Sequence, residues 1–251
     1  HQLNSDDQPQ YGYFLPTYDS TQPTDDEYVP FKIVGCEFIP TKGMDDERTT
    51  CVMFKKPEKG WEYRYYQGTD PINSETGKSK MSSAIWDSWA NAPVCVINWR
   101  IREFKLVYLQ CALMGMFYDQ QTSTLKELVE SNIGDMYIDF LERWGFGRRI
   151  AGNGDLPAYM QTPTSKWWGI SNRTNTAGKI TNKLIELIDL YAENIYILWF
   201  WLQCKTFVEK SLKSTNTLRQ SRYQAADLKY DFDDVIFSIN FSYICSEAFN
   251  R

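Results

Sequence analysis

The stretch Trp61–Arg100, WEYRYYQGTDPINSETGKSKMSSAIWDSWANAPVCVINWR, contains three strand-like runs joined by polar turns. WEYRYYQGTD ends at Pro71, which cannot donate to a ladder and leaves Asp70 at the strand's C-terminal end. SSAIWDS and PVCVINWR follow, separated by a turn at Trp89–Ala92, and such short connections make an antiparallel meander. Residues 103–119, EFKLVYLQCALMGMFYD, then set Leu106, Leu109, Leu113 and Phe117 at helical spacing. LKELVES, residues 125–131, reads as a fourth strand with Glu130 near its end. A strand reached through a crossover helix lies parallel to an earlier one, so Asp70 and Glu130 are expected on the same sheet edge. The predicted class is α/β: a mixed sheet, antiparallel meander plus parallel strands, flanked by helices.

On the N-terminal side, residues 1–30 are rich in Asp, Gln, Pro and Tyr without a period and read as an extended lead-in draped over the domain. FKIVGCEFIPTK (31–42) and TTCVMFKK (49–56) alternate enough to form a strand pair around the turn GMDDER. On the C-terminal side, NIGDMYIDFLERWGF (132–146) reads as a helix, followed by the Gly-rich break GFGRRIAGNGD. TAGKITNKLIELIDLYAEN places Ile180, Leu184, Leu187, Ile188 and Tyr191 on one helical face. IYILWFWLQCKTFVEK reads as a buried helix or helix-strand pair, and a polar segment from Ser211 to Asp227 leads to a last helix carrying Val235, Ile239, Tyr243 and Ile244. Asp231, Asp233 and Asp234 open that helix, where the dipole favours acids. The chain divides into a lead-in over 1–52, with its strand pair, and one domain over 53–251.

With 251 residues, 43% hydrophobic, the chain can bury a real core. No uncharged run reaches the ~18 residues of a membrane span, so no membrane partner is expected. A formal charge of −5 argues against a protein that coats nucleic acid by charge alone. The six cysteines lack CxxC spacing and no signal peptide is visible, which points to a reduced intracellular compartment. The sequons at Asn172 and Asn240 read as accidental. His1 is the only histidine, which excludes Ser-His-Asp and Cys-His catalysis and nearly all multi-histidine metal sites. Chemistry here falls to carboxylates.

Three acidic sites from separate parts of the chain stand out: Asp70, Glu130 and the Asp233-Asp234 pair. Two strand ends and a helix N-terminus can converge on one sheet edge, where the carboxylates repel unless a divalent ion neutralises them. Oxygen ligands suit Mg2+ or Mn2+, and two such ions ~3.5 to 4 Å apart serve phosphodiester hydrolysis. Singly, each acid also has an ordinary role as a turn residue, a solvated strand end or a helix cap.

From Met53 to about Phe249 the sequence resembles the C-terminal nuclease domain of the large terminase subunit of tailed bacteriophages. The resemblance rests on MFKKPEKGWEYRYYQGTDP, GKSKMSSAIWD, ELVESNIGDMYIDFLERWGF, WWGISNRTNTAGKITNKLIELIDLYAEN and LKYDFDDVIFSINFSYI, in this order and spacing. It implies a ribonuclease H-like fold, metal-dependent cleavage of concatemeric double-stranded DNA, and catalytic acids at Asp70, Glu130 and one or both of Asp233 and Asp234. Where the family often has a histidine before its Asp-Asp pair, this chain has Phe232. The implied partners are double-stranded DNA, the N-terminal ATPase domain of a full-length protein, the portal and the small terminase subunit, in the host cytoplasm. The one phosphate-loop-like run, Gly77-Lys78-Ser79, has Ile72 where the upstream glycine belongs, so no ATPase site is expected. Arg148, Arg149, Lys166, Arg173, Lys179 and Lys183 are candidates to guide a phosphate backbone. The alternatives are another ribonuclease H-like nuclease, such as a resolvase or transposase, and a non-enzymatic phage structural or adaptor protein.

Overall fold

The computed structural model describes residues 8–72, 80–162, 166–172, 174–212, 220–225 and 234–250. Seven strands make one mixed sheet: β1 (Gln10–Pro23), β2 (Phe31–Pro40), β3 (Cys51–Met53), β4 (Tyr65–Asp70), β5 (Met81–Asp87), β6 (Ala92–Trp99) and β7 (Lys126–Val129). Their spatial order is β2-β1-β3-β6-β5-β4-β7. The helices are α1 (Phe104–Thr122), α2 (Asp135–Arg143), α3 (Thr174–Tyr191), α4 (Leu198–Thr206) and α5 (Asp234–Phe249). A separate hairpin pairs β8 (Phe207–Leu212) with β9 (Gln220–Ala225).

The meander forms as its sequence predicts. β4 pairs antiparallel with β5 from Tyr65 opposite Asp87 to Asp70 opposite Ser82, and β5 pairs antiparallel with β6. β4 starts at Tyr65, later than the alternation suggests, because Tyr63 takes a left-handed backbone (φ 53°) that no strand continues through. After the α1 crossover, β7 runs parallel to β4, with Thr69 opposite Val129.

The lead-in differs from expectation. Gln10–Pro23 is a long strand, and it inserts between the two segments that local alternation would pair with each other. β2 pairs with β1 over Gly12–Pro23, and β3 pairs with β1 at Gln10–Gly12 and with β6 on its other side. Pro16 lies where β1 has only β2 as a neighbour, so its missing N–H costs no ladder bond. The polar segment from Ser211 to Asp227 contains β9, and the run 195–210 resolves into α4 followed by β8.

Side-chain alternation gives the sheet two covered faces. Ile85, Cys95, Ile97, Met81 and Val129 face α1 and α2 in the larger core. Ala84, Trp86, Val96, Tyr66 and Leu128 face α3, α4 and α5. Helix α5 is buried from Asp234 to Ser246. An all-apolar surface would keep such a helix about a side chain away from the sheet, and serines at 238, 242 and 246 relieve that on one stripe. Each serine hydroxyl donates to the carbonyl three residues back, to Val235, Ile239 and Tyr243, so burial leaves it satisfied. The stripe meets β4 at Gly68, where a Cβ would lie 2.1 Å from Ser242 N and 2.3 Å from Ser238 O.

Contacts at three heights fix the direction of the helix. Tyr66 OH donates to Asn250 Oδ1 (2.6 Å), Gly68 abuts Ser242 and Ser238, and Ser238 Oγ hydrogen-bonds Ser82 Oγ (2.8 Å) opposite Asp70. Helix α5 therefore runs antiparallel to β4 and brings its N-terminus to the Asp70 end of the strand. Gly68→Ala is expected to lower stability by about 1 to 3 kcal/mol, as for overpacked cores. Urea denaturation checks this, and an unchanged midpoint would show that α5 is not held at this contact.

Candidate active site

Asp70 is the last residue of β4 and Glu130 directly follows β7, with 7% and 8% of their surfaces exposed. The Glu130 N–H donates to Thr69 O (3.1 Å), which continues the parallel ladder to the end of both strands. By the two-residue period of the strands, Asp70 and Glu130 lie on the same sheet face as Gly68, Tyr66 and Leu128, the face that α5 covers. Asp234, 6% exposed, opens α5 and shares the stripe of Ser238 and Ser242, four residues apart. Its Oδ2 accepts from the backbone N–H of Lys80 (3.1 Å), just before β5.

An acid opening a helix is ordinarily a cap. Here the amides of Val235 and Ile236 donate to Gln203 Oε1 from α4, at 3.0 and 3.1 Å. Asp233, Asp231 and Phe232 lie outside the described residues, as do Gly77-Lys78-Ser79 and Arg173. Of the predicted acids, then, Asp70, Glu130 and Asp234 are placed at one end of one sheet face. Among the described residues, no group of three or more His, Cys, Asp or Glu side chains could itself hold a metal ion.

The residues around Glu130 are ordered by bonds that sequence reading did not anticipate. Asn132 Nδ2 donates to Glu130 Oε1 (2.9 Å), and Ser171 Oγ donates to Asn132 Oδ1 (3.0 Å). Lys166 Nζ donates to Ser131 O (2.5 Å) and pairs with Asp135 (2.8 Å), so this predicted phosphate guide clamps the chain just after Glu130. Asn132, Ser82 and Ser171 all stood in the quoted motifs but no role was read for them, and Gln203 stood outside those motifs; each of the last three acts on a partner distant in sequence.

Three other predicted guides are engaged within the protein. Arg149 is 1% exposed, donates to Ala112 O (3.0 Å) and lies 4.0 Å from buried Glu127, so it cannot meet a backbone phosphate in this fold. Burial raises the Glu127 carboxyl above its ordinary value, and Arg149 with hydrogen bonds from Thr69 and Tyr137 offsets part of that. Lys183 is engaged by Glu186 (2.9 Å) and Glu247 (2.6 Å). Arg148 is exposed but pairs with Asp119 (2.5 Å) and bonds Ser123 O, at the end of the sheet where β7 begins, away from Glu130. That far end is also fastened by buried Arg64, which bridges Asp87 (2.7 Å) and Glu58 (2.7 Å).

No protein-family model and no curated protein sequence matches the chain. Solved structures do. The large terminase nuclease from thermophilic phage G20c with bound magnesium is 13% identical, with a TM-score of 0.50, over 79% of this chain and 88% of that one. The same nuclease with bound cobalt is 10% identical, with a TM-score of 0.50 and the same coverage of 79% and 88%. The large terminase nuclease domain of Thermus phage P74-26 is 11% identical, with a TM-score of 0.52, over 79% and 86%. The class is therefore the ribonuclease H-like mixed sheet flanked by helices. Within it, this chain has the fold of the phage large terminase nuclease domains.

Gln203→Ala removes the acceptor for two amides of α5 and is expected to cost about 1 kcal/mol, the scale of a lost helix cap. Chemical denaturation measures it, and an unaltered midpoint would mean another group takes over the cap.

Proposed function

We propose that this chain is the metal-dependent endonuclease domain of a phage large terminase, cutting concatemeric double-stranded DNA during genome packaging. The observation that carries the reading is the arrival of Asp70, Glu130 and Asp234, from three distant parts of the sequence, at one end of one sheet face. The N-terminus of α5 is tied on two sides, by Gln203 Oε1 to the amides of Val235 and Ile236 and by Asp234 Oδ2 to the amide of Lys80, which supports a fixed carboxylate there.

The donor set is hard oxygen, with no histidine after residue 1, and this chemistry fits Mg2+ or Mn2+. Asp70, Glu130 and Asp234 would hold the ions, with Asp233 as the further candidate. When bound, two such ions polarise the scissile phosphodiester and stabilise charge on the leaving oxygen. The protein's own part is orientation. Asn132 holds one oxygen of Glu130, Lys166 fixes the backbone after it, and the Lys80 amide holds Asp234. The N-terminal end of α5 adds a positive partial charge that favours a phosphate there. The acidic composition is compatible with this role, since the ions restore positive potential where the phosphate sits. In a full-length protein the grip on DNA would come from an ATPase domain, with portal and small subunit as partners in the host cytoplasm.

Plasmid nicking tests the reading. Wild-type protein should cut in Mg2+ or Mn2+ and stop in EDTA, and Asp70→Asn should lose at least ~100-fold in rate while staying folded. Cleavage that persists in EDTA, or an Asp70→Asn variant as active as wild type, would contradict it. Bound metal should also raise the melting temperature by mass action, less in Asp70→Asn and unchanged in a control such as the exposed Asp139→Asn.

A further inference from the structure

On the sheet face opposite the acids, directly beneath them, lies a buried chain of polar side chains. Gln67 Nε2 donates to Ser83 Oγ (2.8 Å), Ser83 and Thr69 share a hydroxyl hydrogen bond (2.7 Å), and Thr69 Oγ1 donates to Glu127 Oε1 (2.7 Å). Tyr137 OH from α2 donates to the same Glu127 oxygen (2.9 Å). All five residues are fully buried. Ser83 Oγ also reaches Gly68 O (3.3 Å), so the chain ties β5 through β4 to β7 with every hydroxyl partnered. Gln67 also donates to Cys111 O (3.0 Å), and α1 can lie this close because residue 115 is glycine: a Cβ there would sit 2.1 Å from Gln67 Oε1.

Thr69 is joined to β7 twice. Its hydroxyl bonds the side chain of Glu127 on one face, and its carbonyl accepts the N–H of Glu130 (3.1 Å) in the sheet plane. It also immediately precedes Asp70. Neither Thr69 nor Glu127 can reach the acids' face, since strand alternation turns both side chains away from it. A buried carboxylate with an arginine 4.0 Å away is poor evidence for stability alone.

We propose that Thr69 and Glu127 are positioning residues that set the relative height of β4 and β7, and through it the separation of the Asp70 and Glu130 carboxylates. This inference rests on the metal-dependent nuclease reading and adds to it two residues outside the metal-binding set. Outer-shell partners of metal ligands typically carry a 10- to 100-fold effect on metal affinity or activity.

The test compares wild type, Thr69→Val and Thr69→Ser in the full chain, reading Mn2+ affinity from the free-ion electron paramagnetic resonance signal, nicking rate against Mn2+ concentration, and melting temperature. Thr69→Val keeps the volume and removes the donor; it should raise half-saturating Mn2+ by about tenfold or more, and Thr69→Ser should restore it. A purely structural role predicts lowered melting with unchanged Mn2+ affinity, and that result overturns the proposal. If wild type cuts and Asp70→Asn does not, yet Thr69→Val matches wild type, the positioning role fails and the nuclease reading stands. A wild type that neither binds Mn2+ nor cuts removes both. Should Thr69→Val not fold, Thr69→Ala removes the same donor without placing a methyl against the buried polar chain: a raised half-saturation supports the proposal, and an unchanged one overturns it.

Discussion

The close contact of α5 with β4 at Gly68 is the constraint on which the rest of the site depends. A helix buried along most of its length normally stands off a sheet by the thickness of its side chains. Here the serine stripe and one glycine remove that thickness, so helix backbone meets strand backbone. The same stripe, extended one turn toward the N-terminus, is occupied by Asp234. The helix face that allows the approach is thus also the face that presents the carboxylate toward the end of β4. Packing and chemistry share one row of residues, and a change that lifts the helix would move the acid with it.

A second constraint operates from the other side of the sheet. The parallel pairing of β4 and β7 ends with Glu130 bonded to Thr69 O, while Thr69 and Glu127 bond across the same pair beneath. Between the contact above and the bonds below, the strand end carrying Asp70 has little freedom. Fixing the strand end in this way limits how far the carboxylate of Asp70 can move relative to the end of β7.

Much of this was legible in the sequence where the governing rule is local or topological. The meander followed from three alternating runs with short turns, and the crossover rule put Glu130 on the same edge as Asp70. The choice between Asp233 and Asp234 was not readable, and Asp233 lies outside the described residues. What escaped depends on partners far apart in the chain. β1 hid in a Pro- and Tyr-rich lead-in, and the strand pair expected between β2 and β3 gave way because β1 inserts between them. Arg149, in a Gly-rich break that looks solvent-facing, is buried because Glu127 lies 22 residues earlier on β7. Gln203 as the cap of α5 had no sequence signal, because its amides lie on a different helix.

The proposed nuclease role requires the acids of β4, β7 and α5 to hold divalent metal at one point. Locating Mn2+ by anomalous scattering in crystals of the wild-type protein tests it most directly. A peak is expected within metal-ligand distance, about 2.0 to 2.6 Å, of carboxylate oxygens from Asp70 and from Glu130 or Asp234. A Mn2+ peak on other residues, with these three carboxylates turned away from any ion, would contradict it.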